Sequence, residues 1–217
     1  MRPSVQLLTV TQPVSESVFL DGELDIIEFA GRVDYGPKSM AKMGDKEIIG
    51  RWIRGGHESM IEFVDATFLI ECSRVVTHEL VRHRLASYQQ ESQRYVEYAE
   101  EEPEDMFIIP AAYEDTVEGD IMMVSYEDSL RRYKMLRLNG VSKQEARYVL
   151  PNATRTRIVM KANLREWSHV LRLRCHHSAQ PEMQEVANAI LKILYERYPE
   201  VFLSVTLDIE AGNRATR

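Results

Sequence analysis

Residues 82–94 read RHRLASYQQESQR and form the most unusual stretch of this 217-residue chain. Three adjacent basic side chains end an apolar segment, and burying them without an anionic partner would be costly. The residues that follow are rich in hydroxyl, amide and guanidinium groups and include no glycine. Such a segment is suited to hold a phosphate between Ser92, Arg94 and backbone N–H groups. The alternative is a solvated helix end, where basic side chains complement the helix dipole.

A second group of candidate functional side chains consists of Arg147 and the segment 163–174. Arg165 and His169 are four residues apart and would share a helix face, whereas Arg174 follows nine residues after Arg165 and falls on the opposite side. Apolar residues surround them and predict a buried helix. Such a helix would serve two ligands, or two sites in an oligomer. The alternative is that these arginines pair with the abundant carboxylates.

The overall composition fits one globular domain, and we assign residues 1–217 to it. The net charge of −7 argues against a general nucleic-acid binder, whereas two arginine-dense segments favour recognition of small anions. The two cysteines, Cys72 and Cys175, provide no disulfide framework, so a reducing, cytoplasmic location is expected. No apolar run is long enough to predict a membrane span or a signal peptide. The segment Cys175-His176-His177 lacks the spacers of a zinc site, and no metal is expected.

The pattern along the chain predicts helices with a few strands, which is the α+β class. The predicted strands are 5–11, 65–72 and 154–161, and the predicted helices are 24–33, 48–53, 73–83, 115–138, 142–150, 163–175 and 181–199. The spacing of Ser59 and Glu62 resembles a capping box, and that of Asn163 and Glu166 resembles another helix cap. Residues 85–102 have no period and are interpreted as a structured loop, and the acidic run 97–105 as a solvated connector.

The order Arg-His-Arg, seven residues, Ser, one residue, Arg resembles the signature of the flavin-dependent thymidylate synthases. Further matching elements occur in the family's order over roughly residues 30–184: Gly56-His57-Glu58-Ser59 resembles its His-x-Ser/Thr element, Glu145 to Pro151 its EARxxLP segment, and Asn163-x-Arg165, His169 and Arg174 its closing helix.

The resemblance implies the family's own α+β fold, in which helices pack on a small mixed or antiparallel sheet. It implies a homotetramer whose active sites are shared between subunits. The implied reaction is methylation of dUMP to dTMP with FAD as cofactor, 5,10-methylenetetrahydrofolate as carbon donor and NADPH as reductant. No cysteine of the enzyme would act as nucleophile.

The resemblance also implies roles for individual residues. The residues implied to bind FAD are Ser59, Arg82, His83, Arg84, Gln90, Asn163, Arg165 and His169. Those implied to bind dUMP are Glu79, Arg82, Gln90, Glu91, Ser92, Gln93, Arg94, Arg147 and Arg174. His57 and Tyr95 would lie near the flavin and the folate. Arg174 would be the catalytic residue and would stabilise the pyrimidine with N3 ionised, since a guanidinium cannot serve as a base.

Two features depart from the family pattern. Gln89-Gln90 stands where many relatives have Asn-Glu, and Glu79 stands where relatives often have Gln. The hydrogen bonds expected at these positions are therefore open. Two other functions compete with the enzyme: a scaffold that binds flavin or nucleotide without catalysis, and a nucleic-acid-binding module that uses residues 82–94.

Overall fold

The computed structural model describes residues 2–14 and 20–215, with side chains up to residue 213. Within these residues the chain forms one four-stranded sheet, built from β1 (Ser4–Val10), β2 (Asp65–Ser73), β3 (Ala86–Gln90) and β4 (Arg155–Asn163). The strands lie in the order β1-β2-β4-β3, and each neighbouring pair is antiparallel. The antiparallel option of the expected fold is confirmed.

Helices connect and cover these strands. They are α1 (Glu23–Val33), α2 (Pro37–Met40), α3 (Glu47–Arg54), α4 (Arg74–Leu80), α5 (Pro103–Met106), α6 (Val117–Leu138), α7 (Lys143–Ala146), α8 (Leu164–Arg174), α9 (Pro181–Arg197) and α10 (Pro199–Ala215). Short 3₁₀ helices occupy Ser59–Phe63, Ala111–Tyr113 and Arg147–Val149. Among the described residues, no helix has the length and apolar character needed to cross a bilayer.

The central strand β2 follows the alternation that its sequence predicts. Ala66, Phe68, Ile70 and Cys72 are fully buried, because every second side chain of the strand faces the helices. The ring of Trp167 on α8 packs edge-on against Phe68, with 5.1 Å between ring centroids. This contact joins the sheet to the helix that carries most of the candidate site.

A second apolar cluster lies under residues 91–107. Tyr98 packs edge-on against Tyr133 of α6, and both rings are buried. Glu97 accepts hydrogen bonds from the Tyr133 hydroxyl at 2.9 Å and from Nε of Arg137 at 3.0 Å. The acidic run is therefore more than a solvated connector, because its first residues pack against α6.

Several sequence predictions are wrong in detail. Residues 85–102, for which the sequence predicts a loop, include the edge strand β3, which pairs with β4. The polar sequence of β3 has no alternation that predicts a strand. Ser59 does not cap a helix, since a 3₁₀ helix begins there after Glu58 and no side-chain cap is formed. The helix predicted over 73–83 ends at Leu80, and Val81, the next residue, is exposed. The helix predicted to be the last is followed by α10, which begins at Pro199 because proline is well tolerated in a first helical turn.

The remaining helices and strands agree with the sequence to within a few residues. The cap predicted at Asn163 is confirmed, because its Oδ1 accepts a hydrogen bond from the Glu166 backbone N–H at 2.8 Å. Asn139 follows α6 as predicted, and Gly55 ends α3. The start of α8, which positions the candidate site, is thus well defined by local sequence.

The anchoring of α8 can be tested at Trp167, whose indole N–H donates to the Ala66 carbonyl at 3.0 Å. Replacing Trp167 by Phe removes this buried bond and should lower the free energy of unfolding by about 1–3 kcal/mol. Urea unfolding measures the change. Trp52→Phe is the matched control, because the Trp52 N–H has no acceptor among the described residues and its ring is half-buried. Equal losses in the two variants would contradict the proposed anchor.

Candidate active site

The end of α4 and the end of α8 meet at His83. The imidazole of His83 is buried. The backbone turn that carries it is fixed by Tyr88 of β3. The Tyr88 hydroxyl donates toward the carbonyl oxygens of Leu80 at 2.7 Å and His83 at 2.8 Å. The overlooked strand β3 therefore holds the first signature residues in place.

Arg174 joins the two helices through its guanidinium group. Its Nε donates to Nε2 of His83 at 3.1 Å. Its Nη1 donates to the carboxylate of Glu79 at 2.6 Å, and its Nη2 donates to the Glu79 backbone carbonyl at 3.2 Å. These contacts use three of the five N–H groups that an arginine carries. Arg174 is thus fixed in orientation and retains donors for a ligand.

The contacts of His83 define its tautomer. Because Nε2 accepts a hydrogen bond from Arg174, the proton of the neutral ring resides on Nδ1, which lies 3.7 Å from Oε1 of Glu166. Burial, with Arg174 and His169 as further causes, lowers the pKa of His83 to about 4. Burial also raises the pKa of Glu166. The contact between His83 and Glu166 therefore involves a neutral imidazole and is not an ion pair.

A cavity of about 690 Å³ opens beside this cluster. Asn163, Arg165 and His169 line it, so the structure brings together the cap residue of α8 and the two residues of that helix that the resemblance assigns to the flavin. The His169 ring lies 5.8 Å from that of His83, which connects the cavity to the Arg174 cluster. The prediction that α8 is buried all round is wrong, because Arg165 and His169 are exposed.

The sequence did not assign the other residues that line this cavity to the site. They are Glu58, Glu62, Leu85, Glu166 and Arg172. Arg165 pairs with Glu62, and Arg172 pairs with Glu58 at 3.4 Å. The interpretation that arginines of this helix pair with carboxylates is therefore confirmed for these two, and also for Arg174, which pairs with Glu79. Glu62 and Glu166 left a signal in the sequence, each as the last residue of a cap motif.

The flanking signature residues point outward. Arg82 and Arg84 are exposed, and neither forms an ion pair with a described residue. His57 and Ser59 are also exposed, as is Tyr95. Exposed guanidinium groups without a carboxylate partner are available to an anion.

The predicted phosphate segment forms a tight turn at Ser92. The backbone N–H groups of Tyr95 and Val96 donate to the Ser92 carbonyl at 3.0 and 3.1 Å, and that of Arg94 to its hydroxyl at 3.3 Å. The exposed guanidinium of Arg94 lies over the Tyr95 ring. Gln93 is buried, and its amide nitrogen finds no acceptor among the described residues. A buried donor of this kind calls for a partner.

Two residues of the 82–94 segment lie next to this turn and form hydrogen bonds within the chain. Gln90 donates to the hydroxyls of Thr77 at 3.1 Å and Thr156 at 3.3 Å. Glu91 accepts from the Tyr98 hydroxyl at 3.1 Å. The departure at position 90 thus places an amide donor between two threonine hydroxyls.

Arg147 lies close to a second arginine that the sequence analysis did not assign to the site. Burial lowers the pKa of Arg74, and the nearby charge of Arg147 lowers it further. The Nε of Arg147 donates to the Gln144 carbonyl at 3.1 Å. Neither Arg94 nor Arg147 lines the cavity that opens beside the Arg174 cluster. Among the described residues no three His, Cys, Asp or Glu side chains are placed to hold a metal ion.

Known proteins share this architecture. A solved structure of the UMP/dUMP methylase PolB from Streptomyces cacaoi, bound with 5-Br dUMP, superposes with a TM-score of 0.74. The superposition covers 94% of this chain and 95% of that chain, at 23% sequence identity. The fold is therefore that of this nucleotide methylase.

Sequence comparisons define the family. Residues 18–200 match the family described as thymidylate synthase complementing protein. The flavin-dependent thymidylate synthase of Pyrococcus abyssi is 38% identical over 183 residues, which cover 80% of this chain and 75% of the relative. That of Mycobacteroides abscessus is 35% identical and covers 91% of this chain and 88% of the relative. The chain belongs to the flavin-dependent thymidylate synthases, a family of methyltransferases.

The state of His83 can be tested by titration. Nitrogen-15 NMR of the imidazole should show a neutral ring protonated on Nδ1 down to about pH 4. Arg174→Ala should raise this pKa, because it removes a nearby cation and opens the site to water. Arg132→Ala, at an exposed arginine of α6, should leave it unchanged. A pKa of His83 near 6.5 in the unmodified protein would contradict the assignment.

Proposed function

We propose that this enzyme methylates dUMP to dTMP with FAD as cofactor, 5,10-methylenetetrahydrofolate as carbon donor and NADPH as reductant. The observation that carries the proposal is the guanidinium of Arg174, held by Glu79 and His83 beside a cavity lined by residues of α8. Membership of the family supports the reaction. The curated relatives are named as flavin-dependent, and the fold neighbour is bound to a dUMP analogue.

The donors that line the cavity, with two arginines that precede its Leu85 in the chain, fit a flavin dinucleotide. Arg82 and Arg84 carry positive charge without a carboxylate partner, which suits a diphosphate. Asn163 uses its side-chain oxygen to cap α8, so its amide N–H groups remain for a ligand. With Arg165 and His169 they would hold the cofactor. When bound and reduced, FAD supplies the hydride that the reaction requires.

Arg174 would bind the pyrimidine ring of dUMP. A fixed donor aimed at developing negative charge contributes about 3–4 kcal/mol to lowering a barrier. Glu79 and His83 prevent the guanidinium from turning away, and its remaining N–H groups would stabilise the ring with N3 ionised. This charge would make C5 of the ring electron-rich, so that C5 can attack the methylene carbon while the bond from that carbon to a folate nitrogen breaks.

The phosphate of dUMP would bind at the turn 92–95. The buried amide of Gln93 lacks an acceptor among the described residues, and Arg94 is exposed. Arg147 would add a second cation, with Arg74 beside it. Gln90 and Glu91 would act from within the chain, by fixing the strand end that leads into the turn.

The two cysteines support a reaction without an enzyme thiolate. Cys72 and Cys175 are buried, and burial raises the pKa of the Cys175 thiol to about 12. Burial raises the pKa of Cys72 as well. Since the thiolate is the nucleophilic form, neither side chain is activated at neutral pH.

We further propose a homotetramer in which neighbouring subunits complete each active site. Within the described chain the phosphate turn and Arg174 are not joined by a hydrogen bond. Exposed apolar side chains lie close to the site: Leu85, which lines the cavity, is 77% exposed, and Tyr95 is 73% exposed. Both His57 and Tyr95 would approach the flavin and the folate from such an interface.

The reaction and the role of Arg174 are tested together. The unmodified protein should release tritium from C5-labelled dUMP and form dTMP when supplied with methylenetetrahydrofolate and NADPH. Arg174→Ala should retain its flavin, measured by absorbance, and lose about 100- to 1000-fold in turnover. Arg132→Ala should remain fully active. Absence of dTMP from the unmodified protein would overturn the proposed function, whereas normal turnover of Arg174→Ala would overturn only the role of Arg174.

The phosphate turn is tested by calorimetry. Arg94→Ala should weaken dUMP binding roughly 10- to 100-fold, because the phosphate loses a charge-assisted hydrogen bond. Deoxyuridine, which has no phosphate, should bind the variant and the unmodified protein equally. An unchanged affinity for dUMP would refute the assignment of this turn to the phosphate.

A further inference from the structure

A separate cavity of about 640 Å³ lies between α1, α2 and α3. None of its lining residues has a role in the reaction proposed above. They include two aromatic residues, Tyr35 and Trp52, and two lysines, Lys38 and Lys42. This combination of flat rings and cationic side chains is typical of sites for phosphorylated aromatic ligands.

The aromatic wall of this cavity is fixed in place. The rings of Tyr35 and Trp52 are 8° from parallel, with 6.2 Å between their centroids. Behind Trp52, α1 presents Gly31, where an added Cβ would lie only 2.4 Å from Cζ3 of the indole. The helix therefore packs directly on the ring and leaves it little freedom. A rigid ring of this kind is a good stacking surface for a base.

The charged side chains of the cavity that have no ion-pair partner among the described residues are positive. Lys38 and Lys42 are exposed, and neither forms an ion pair with a described residue. The acidic residue of the lining, Asp45, pairs with Arg51 at 2.5 Å. The cavity thus presents two available ammonium groups in a chain whose net charge is −7.

The floor of the cavity is held by a buried carboxylate. Glu28 is fully buried and accepts hydrogen bonds from Nε of Arg32 at 2.7 Å and from the backbone N–H groups of Gly44 and Asp45. Arg32 in turn donates to the Ser39 carbonyl at 3.2 Å. These bonds tie the segment between α2 and α3 to α1. The walls are therefore built before any ligand arrives.

We propose that this cavity binds a phosphorylated nucleoside. Its base stacks on the wall of Tyr35 and Trp52, and its phosphates pair with Lys38 and Lys42. The proposed function supplies two sources of this chemistry, the adenylate halves of NADPH and of FAD. The inference rests on that function only for the choice of these sources.

Binding is measured on the full flavin-containing protein by calorimetry. The probes are adenosine 2′,5′-bisphosphate, adenosine 5′-diphosphate and adenosine. We expect a phosphorylated probe to bind more tightly than adenosine. The double variant Lys38→Ala/Lys42→Ala should weaken that binding roughly five- to tenfold. Lys192→Ala, at an exposed lysine of α9, is the matched control and should leave the affinity unchanged.

Two further readouts identify the source. If the ligand is NADPH, the double variant raises KM for NADPH and keeps kcat and the flavin content. If it is the adenylate of FAD, the added nucleotides do not bind the flavin-containing protein, and the double variant retains less flavin. The proposal is overturned if nucleotide affinity, KM for NADPH and flavin content are all unaffected by the double variant. Binding and flavin content require no turnover, so failure of the proposed reaction would be recognised separately.

Discussion

The packing of α8 on β2 is the constraint on which the site depends. The indole N–H of Trp167 donates to the Ala66 carbonyl, while its ring packs edge-on against Phe68. With the buried side of the helix fixed in this way, Arg165 and His169 must face the open cavity. The last residue of the helix, Arg174, is then carried to the end of α4. A helix that rotated or slid on the sheet would separate these groups.

The neutral state of His83 follows from this arrangement and also maintains it. A protonated imidazole would repel the Arg174 guanidinium 3.1 Å away and would lose the lone pair that accepts its hydrogen bond. Burial and the nearby cation lower the pKa of His83 far enough to prevent protonation at neutral pH. The His83 ring can therefore orient Arg174, together with the carboxylate of Glu79. Arginine, imidazole and carboxylate form one unit, in which each member fixes the state of the next.

Local pairing, rather than net charge, decides which cations can meet a ligand. The chain carries a net charge of −7, yet Arg82, Arg84 and Lys38 are exposed without a carboxylate partner among the described residues. By contrast, Arg165 and Arg172 lie in ion pairs. An anion that enters beside the second group must compete with carboxylates, whereas one that reaches the first group meets free positive charge.

Much of this protein follows from local sequence. The alternation of 65–72 indicates a half-buried strand and Asn163 the start of α8, because each depends on neighbours close in the chain. The spacing of residues 82–94 likewise predicts an anion site. Only the tertiary structure decided the rest. The polar strand β3 forms because β4, about 70 residues later, supplies its partner. The contacts of Arg174 with Glu79 and His83 join residues more than 90 apart, and the ionisation of His83 depends on burial that no local pattern records.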